Sequence, residues 1–438
     1  MTDVQTAKSV RNKLFLMMIL ELAVWGAWFE MVFGYLGESG LNLPPGQQSW
    51  ILSMFPLAAI AGMFFSNQFA DRNFAAEKFM AASHLIAGLA MAGMAYTTSF
   101  VPMLIFMAVH CFFYVPTLSI ANGIAFSAMK NPSQEFGIIR MGGTIGWILA
   151  ATPFVFLLAD WGRIEPMSKT GFPAWISHVF STPLEGLARV QATPWTFKVS
   201  AIVSIILAAF SLTLPHTPPK PLRAGESHYA WLVAFKLLAK PFVFVLWIVT
   251  FIDAALLQMY FSWTERFLGH IGVPGNWTAL TMKIGQVAEI LAMIILGSVL
   301  KRLGWKWTMV LGIIGHTVRF TVFAFYPHEP PVIASILLHG ICYAFFFATV
   351  YIFVDAVFPK DVRSSAQGLF NVMILGLGPL VVNMTAPWLF GEVFTHDKVT
   401  DFRGLFLMAT GVSLAAALLL GLGFHPPKDV GTDVETGH

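Results

Sequence analysis

The sequence predicts an all-α membrane protein of about twelve transmembrane helices in two six-helix halves, on three grounds. Hydrophobic residues make up 57% of the 438 residues and charged residues only 11%, with a mean hydropathy of +0.71. A soluble globular chain carries roughly 25% charged residues, so this one lacks the charge to coat a water-facing surface. The apolar residues fall in runs of about 20, the length that crosses a bilayer core as helix. A Pro-rich segment then divides the chain near its middle.

The first run, residues 14–36, is longer than a signal-peptide core and lacks a small-x-small cleavage site, so it reads as a retained span. Further spans follow near 48–69, 77–97, 101–128, 137–159 and 193–214. The second set lies near 241–267, 276–300, 306–326, 331–357, 364–391 and 402–424. Polar residues, Pro or Gly separate them, as at Pro44-Pro45, Asn131-Pro132, Pro330-Pro331 and Pro359-Lys360. Between the sets, Pro-His-Thr-Pro-Pro-Lys-Pro from Pro215 cannot continue a helix. Residues 216–240 therefore read as a cytoplasmic linker joining an N-terminal half, 1–215, to a C-terminal half, 241–438.

Lys and Arg set the orientation, because they concentrate in cytoplasmic connections. Sixteen fall on the side of the N-terminus, from Lys8, Arg11 and Lys13 to Lys428, and seven on the other. Four of those seven lie in or beside the longest outer connection, 160–192, where translocation depends less on charge. Both termini are expected in the cytoplasm, which requires an even number of spans.

Other classes find no support. No basic stripe with interleaved aromatics suggests nucleic acid. Cys111 and Cys342 sit in apolar runs and imply no disulfide framework. The His residues are scattered, with no nucleophile–base motif or metal spacing. Neither an enzyme, a cofactor nor a metal is expected; the bilayer is the expected partner, around a monomer.

Charges that do not belong in lipid mark the functional candidates. Glu21, Glu30, Arg140, Asp253, Glu265, Lys283, Glu289, Arg319 and Asp355 lie in or near spans. A central charge costs roughly 2.5–3.5 kcal/mol on insertion scales. All nine, unpaired and central, would cost on the order of 20–30 kcal/mol, so some must pair, sit near span ends or face a wet cavity. At 100° per residue, Gln258, Phe261, Ser262 and Glu265 share one side of span seven, with Asp253 well off it. Lys283, Gln286 and Glu289 step around about a third of span eight, so Lys283 and Glu289 need partners on other helices. His339, Tyr343, Phe346 and Phe347 form a stripe in span ten, and His110, Tyr114 and Thr117 a similar one in span four. Such stripes suit either helix packing or a flat ligand. Gly26, between Trp25 and Trp28, permits close helix contact, and Gly376, Gly378 and Pro379 should loosen span eleven.

Six spans, a linker and six spans resemble the major facilitator superfamily, whose halves rock around a midplane site. Within it, the chain resembles the nucleoside:proton symporter family. The matching pieces are Trp25-Gly26-Ala27-Trp28, Ala70-Asp71-Arg72, Tyr114-Val115-Pro116-Thr117-Leu118 with Asn122, and Arg140-Met141-Gly142-Gly143-Thr144-Ile145-Gly146. Leu212-Thr213-Leu214-Pro215-His216, Gln286-Val287-Ala288-Glu289, Arg319-Phe320 and Arg363-Ser364-Ser365-Ala366-Gln367-Gly368-Leu369-Phe370 continue the series in the family's order.

The resemblance implies a nucleoside permease of the cytoplasmic (inner) membrane, importing with protons by alternating access. It implies Arg140, Thr144, Gln258, Gln286 and Glu289 as ligand contacts, with Tyr343 as an aromatic neighbour; Phe261, Phe346 and Phe347 join them from the span patterns. A nucleoside offers a flat base to stack and a polyol needing amide and carboxylate partners. Two positions depart from the family. Ala344 stands where relatives carry an Asp between two aromatics, and Phe261 where they carry an Asn. A proton carrier must then lie elsewhere. Glu289 is the first candidate, beside Gln286, followed by Glu265, Asp253 and Glu30. The alternatives are a carrier for another neutral solute, such as a sugar or nucleobase, and a non-transporting sensor on the same scaffold.

Overall fold

The computed structural model describes residues 6–37, 40–62, 73–130, 132–219, 235–358, 363–397 and 399–427. Ala70-Asp71-Arg72 and most of the linker, 220–234, lie outside the described residues. Long helices dominate. They are α1 (Lys8–Leu36), α2 (Pro45–Ala61), α3 (Ala76–Met94), α4 (Phe100–Ala128), α5 (Pro132–Leu157) and α6 (Trp195–Ser211), followed by α7 (Pro241–His270). Thr278–Phe325 is interrupted at Gly304, whose φ of 72° is a left-handed conformation that glycine adopts without a Cβ clash. That break separates α8 (278–303) from α9 (305–325). The chain ends in α10 (Glu329–Val357), α11 (Ala366–Val393) and α12 (Phe402–Gly423). Among the described residues, nine helical segments, Thr278–Phe325 counted once, are long and apolar enough to cross a membrane.

The chain divides into two compact units. The first takes Met1–Ala58, Phe69–Lys220 and Phe261–Lys283; the second takes Ala59–Gln68, Pro221–Tyr260 and Ile284–His438.

In the first unit, glycines decide which helices meet. A Cβ at Gly142 would lie 2.7 Å from the Phe15 carbonyl, and one at Gly146 would collide with that of Ile19. The Arg-Met-Gly-Gly-Thr-Ile-Gly stretch is thus first a backbone-to-backbone seam between α5 and α1, as small residues make in membrane helices. α1 breaks between Gly26 and Phe29, beside the Trp147 backbone. The 160–192 connection is folded, with short helices Met167–Thr170, Phe172–Ser181 and Gly186–Ala192. Ala159, Ile164 and Val179 form its own small core, and Asn276 Nδ2 donates to the Val155 and Val179 carbonyls at 3.1 and 3.0 Å.

The second unit packs α7, α9, α10, α11 and α12 around Val243, Leu246, Val249, Ile313, Phe353 and Leu420, all fully buried. α8 and α10 meet where a Cβ on Gly285 would lie 2.7 Å from His339, and one on Gly340 would strike Ala288 and Glu289. α10 carries a π-helical turn at Tyr343–Ala348, and α11 another at Val372–Leu377, just ahead of Gly378-Pro379.

Candidate functional site

The second unit holds a buried polar chain reaching from α7 to α8. Arg319 on α9 is fully buried with its guanidinium 3.9 Å from the centre of the Tyr260 ring. Its Nη2 lies 2.7 Å from His316 Nδ1, one turn earlier, and its Nη1 lies 3.5 Å from His339 Nδ1 on α10. His339 Nε2 is 3.1 Å from the Gln286 amide on α8. On the far side, His316 Nε2 is 3.7 Å from Asp253 Oδ1 on α7. Five polar side chains from four helices therefore run Gln286, His339, Arg319, His316, Asp253. Further along α7, Gln258 is buried and donates from Nε2 to Asn383 Oδ1 on α11 at 2.7 Å.

The residues expected from sequence land unevenly around this chain. Gln286 belongs to it, and Glu289 follows on α8, half-buried. Tyr343 is half-buried and packs its ring 5.8 Å from that of Phe347. Phe346 and Phe347 are fully buried members of the apolar core. Tyr343 packs against the same core, so the three rings stay together across the π turn.

In the first unit, Glu30 and Lys283 form a buried ion pair at 2.9 Å, with the Lys283 ammonium 4.4 Å from the centre of the Trp147 ring. Phe261 packs edge-to-face on Phe29 at 5.3 Å and stands 6.4 Å from Trp147. Glu265 accepts from Arg189 Nη2 at 2.7 Å, so the 160–192 connection supplies its cation. Arg140 and Thr144 lie half-buried on the α5 seam. Of the four carboxylates that could carry a proton, Glu30 and Glu265 are each committed to a cation. Asp253 is fully buried, and neither of its oxygens has a hydrogen-bond donor among the described residues.

A second buried carboxylate–imidazole cluster has no sequence signature as a unit. Glu21 Oε2 on α1 lies 2.9 Å from His84 Nε2 on α3, and Thr117 Oγ1 on α4 donates to Glu21 Oε1 at 2.7 Å. Tyr114 donates to the Glu21 carbonyl at 2.8 Å, and Ser204 on α6 lies 3.1 Å from His84 Nδ1. Sequence reasoning misses both His84 and His316. A lone His in an apolar run carries no spacing signal, and only the need of Glu21 and Arg319 for partners points to such residues.

A family model described as Nucleoside H+ symporter matches residues 8–182 and 159–429. The chain is 27% identical over 418 residues to Escherichia coli YegT, covering 94% of this chain and 91% of that one. It is 24% identical over 427 residues to the Escherichia coli nucleoside permease NupG, covering 93% and 94%. The crystal structure of the nucleoside transporter NupG superposes with a TM-score of 0.76 at 23% identity, over 95% of this chain and all of that one. A D-xylose-proton symporter structure superposes with a TM-score of 0.69 at 14% identity, over 97% and 98%. The fold is that of the major facilitator superfamily, and the neighbours are transporters, not enzymes.

Proposed function

The chain belongs to the nucleoside H+ symporter family, and we propose that it imports nucleosides across the inner membrane together with protons, by alternating access of its two six-helix halves. The observation that carries this reading is a family match running along the chain from residue 8 to residue 429. The names of its relatives agree: NupG is a nucleoside permease, and another Escherichia coli relative, 23% identical over 443 residues, is a xanthosine permease.

The side chains supply suitable chemistry. Gln258, Gln286 and Glu289 offer amide donors and acceptors and a carboxylate, the groups that ribose hydroxyls and base edges pair with. Tyr343 offers a ring for the base. Arg140, Thr144 and Phe261 are further contacts carried over from the family, each testable by itself. We place both termini in the cytoplasm on the distribution of Lys and Arg. Reporter fusions in the 216–240 linker and at the C-terminus should both read cytoplasmic, and a periplasmic reading at either rejects that orientation.

The deciding experiment is uptake of radiolabelled uridine and adenosine by cells lacking their own permeases, with free bases and sugars as competitors. Saturable nucleoside uptake that sugars do not inhibit is the expected result. Uptake of a sugar or base in place of every nucleoside overturns the substrate class, and no uptake of any solute favours the sensor.

A further inference from the structure

Proton-coupled import needs an ionisable group in the bilayer that is free to change its charge; Glu30 and Glu265 are held by cations, and Glu289, half-buried, is proposed above as a ligand contact, which leaves the fully buried Asp253. We infer that Asp253 is that group, and that His316, Arg319 and His339 link its protonation to the Gln286 amide. The inference rests on the proton-coupled reading above and names the residue that performs it.

Hydrogen-bond chemistry fixes the direction of the chain. A guanidinium has only donors and stays protonated. The 2.7 Å contact from Arg319 Nη2 therefore makes His316 Nδ1 an acceptor. A neutral His316 then carries its hydrogen on Nε2, the nitrogen that faces Asp253 Oδ1. While that bond stands, His316 cannot take a second proton, and the proton-accepting atoms of the pair are the Asp253 oxygens. Among the described residues, the other ionisable groups around the pair are Arg319 on α9, Cys342 and His339 on α10, and Tyr260 on the helix that carries Asp253.

The separation is the second observation. At 3.7 Å, His316 Nε2 does not yet hydrogen-bond Asp253, and neither group has another hydrogen bond at these atoms among the described residues. A buried carboxylate without a donor is expensive when charged, so this geometry suits the protonated acid. When the proton leaves, His316 must close the gap by about 0.8 Å to reach a normal hydrogen bond. Arg319 moves with it.

His339 carries the movement to the Gln286 amide. Its ring faces Arg319 through Nδ1 and Gln286 through Nε2. A neutral imidazole accepts on one nitrogen only. If Nδ1 accepts from Arg319, Nε2–H must be met by the Gln286 amide oxygen; if Nε2 accepts from the amide N–H, Nδ1–H opposes the guanidinium. Proton loss at Asp253 and ligand binding at Gln286 thus compete through a single ring, giving a coupling free energy between the two sites.

Nucleoside affinity against pH, and accumulation in proteoliposomes with an imposed pH gradient, test this. Wild type should bind with a pH-dependent Kd and accumulate above equilibrium; Asp253→Asn should give a pH-independent Kd and accumulate only to equilibrium. Asp253→Glu, which keeps the carboxylate, should retain coupling with a displaced pH midpoint, and it serves if the Asn variant does not insert. Glu289→Gln should bind more weakly with its pH dependence intact. Gradient-driven accumulation by Asp253→Asn, an unmoved profile in Asp253→Glu, or pH dependence lost only in Glu289→Gln overturns the assignment. Absence of any gradient effect in wild type instead overturns the proton-coupled reading itself.

Discussion

Two buried carboxylates, each beside a buried histidine, behave oppositely in the two units. Glu21 in the first unit is met by His84 at 2.9 Å, by Thr117 at 2.7 Å, and has its own carbonyl capped by Tyr114 at 2.8 Å. These bonds tie α1 to α3 and α4, and Ser204 brings in α6 through His84. Asp253 in the second unit faces its histidine across 3.7 Å and has no hydrogen-bond donor among the described residues. Both carboxylates are fully buried; only their satisfaction differs. A fully paired polar cluster fixes helices in place, whereas a partly paired one keeps a reason to move. The contrast assigns Glu21 to structure and Asp253 to the working cycle.

Removing Glu21 should cause the largest effect. Glu21→Ala leaves buried His84 Nε2 without its partner, and breaking a buried pair costs about 3–5 kcal/mol. Thermal unfolding of the purified protein in detergent should show a clear loss of stability, and a variant as stable as wild type would break the comparison. Next comes Gln286→Ala, at the end of the second cluster where we propose that the nucleoside binds. Losing a partner for a buried polar ligand group costs about 1–3 kcal/mol, or about 5- to 150-fold in nucleoside affinity. Equilibrium binding checks it; wild-type affinity would remove Gln286 from the site. The smallest effect should be on the stability of Asp253→Asn, within about 1 kcal/mol, since no hydrogen bond is broken. A drop as large as that of Glu21→Ala would make the two clusters alike and return Asp253 to a structural role.

Much of the candidate site is legible in the sequence. Gln258, Gln286 and Glu289 stand out because polar groups in apolar runs are costly and therefore few. Lys283 demands a partner on another helix, and Glu30 is that partner. What helical periodicity cannot supply is the π turn at Tyr343–Ala348, because a local change from i+4 to i+5 bonding leaves no mark in hydropathy. Spacing puts Phe346 and Phe347 on one stripe with Tyr343; both are fully buried in the core against which Tyr343 also packs. The 160–192 connection stands out in the sequence only by its length, yet it contains helices and delivers Arg189 to Glu265.

Residence in a bilayer, the course of the spans and the set of ionisable groups stranded in apolar runs follow from the order of residues alone, since transfer free energies act residue by residue. Which of those groups are satisfied does not follow from it. Whether Glu21 meets an imidazole at 2.9 Å or Asp253 stops at 3.7 Å depends on how closely helices approach at glycines such as Gly142, Gly146, Gly285 and Gly340. That approach is set by packing between segments distant in sequence, and no local pattern carries it.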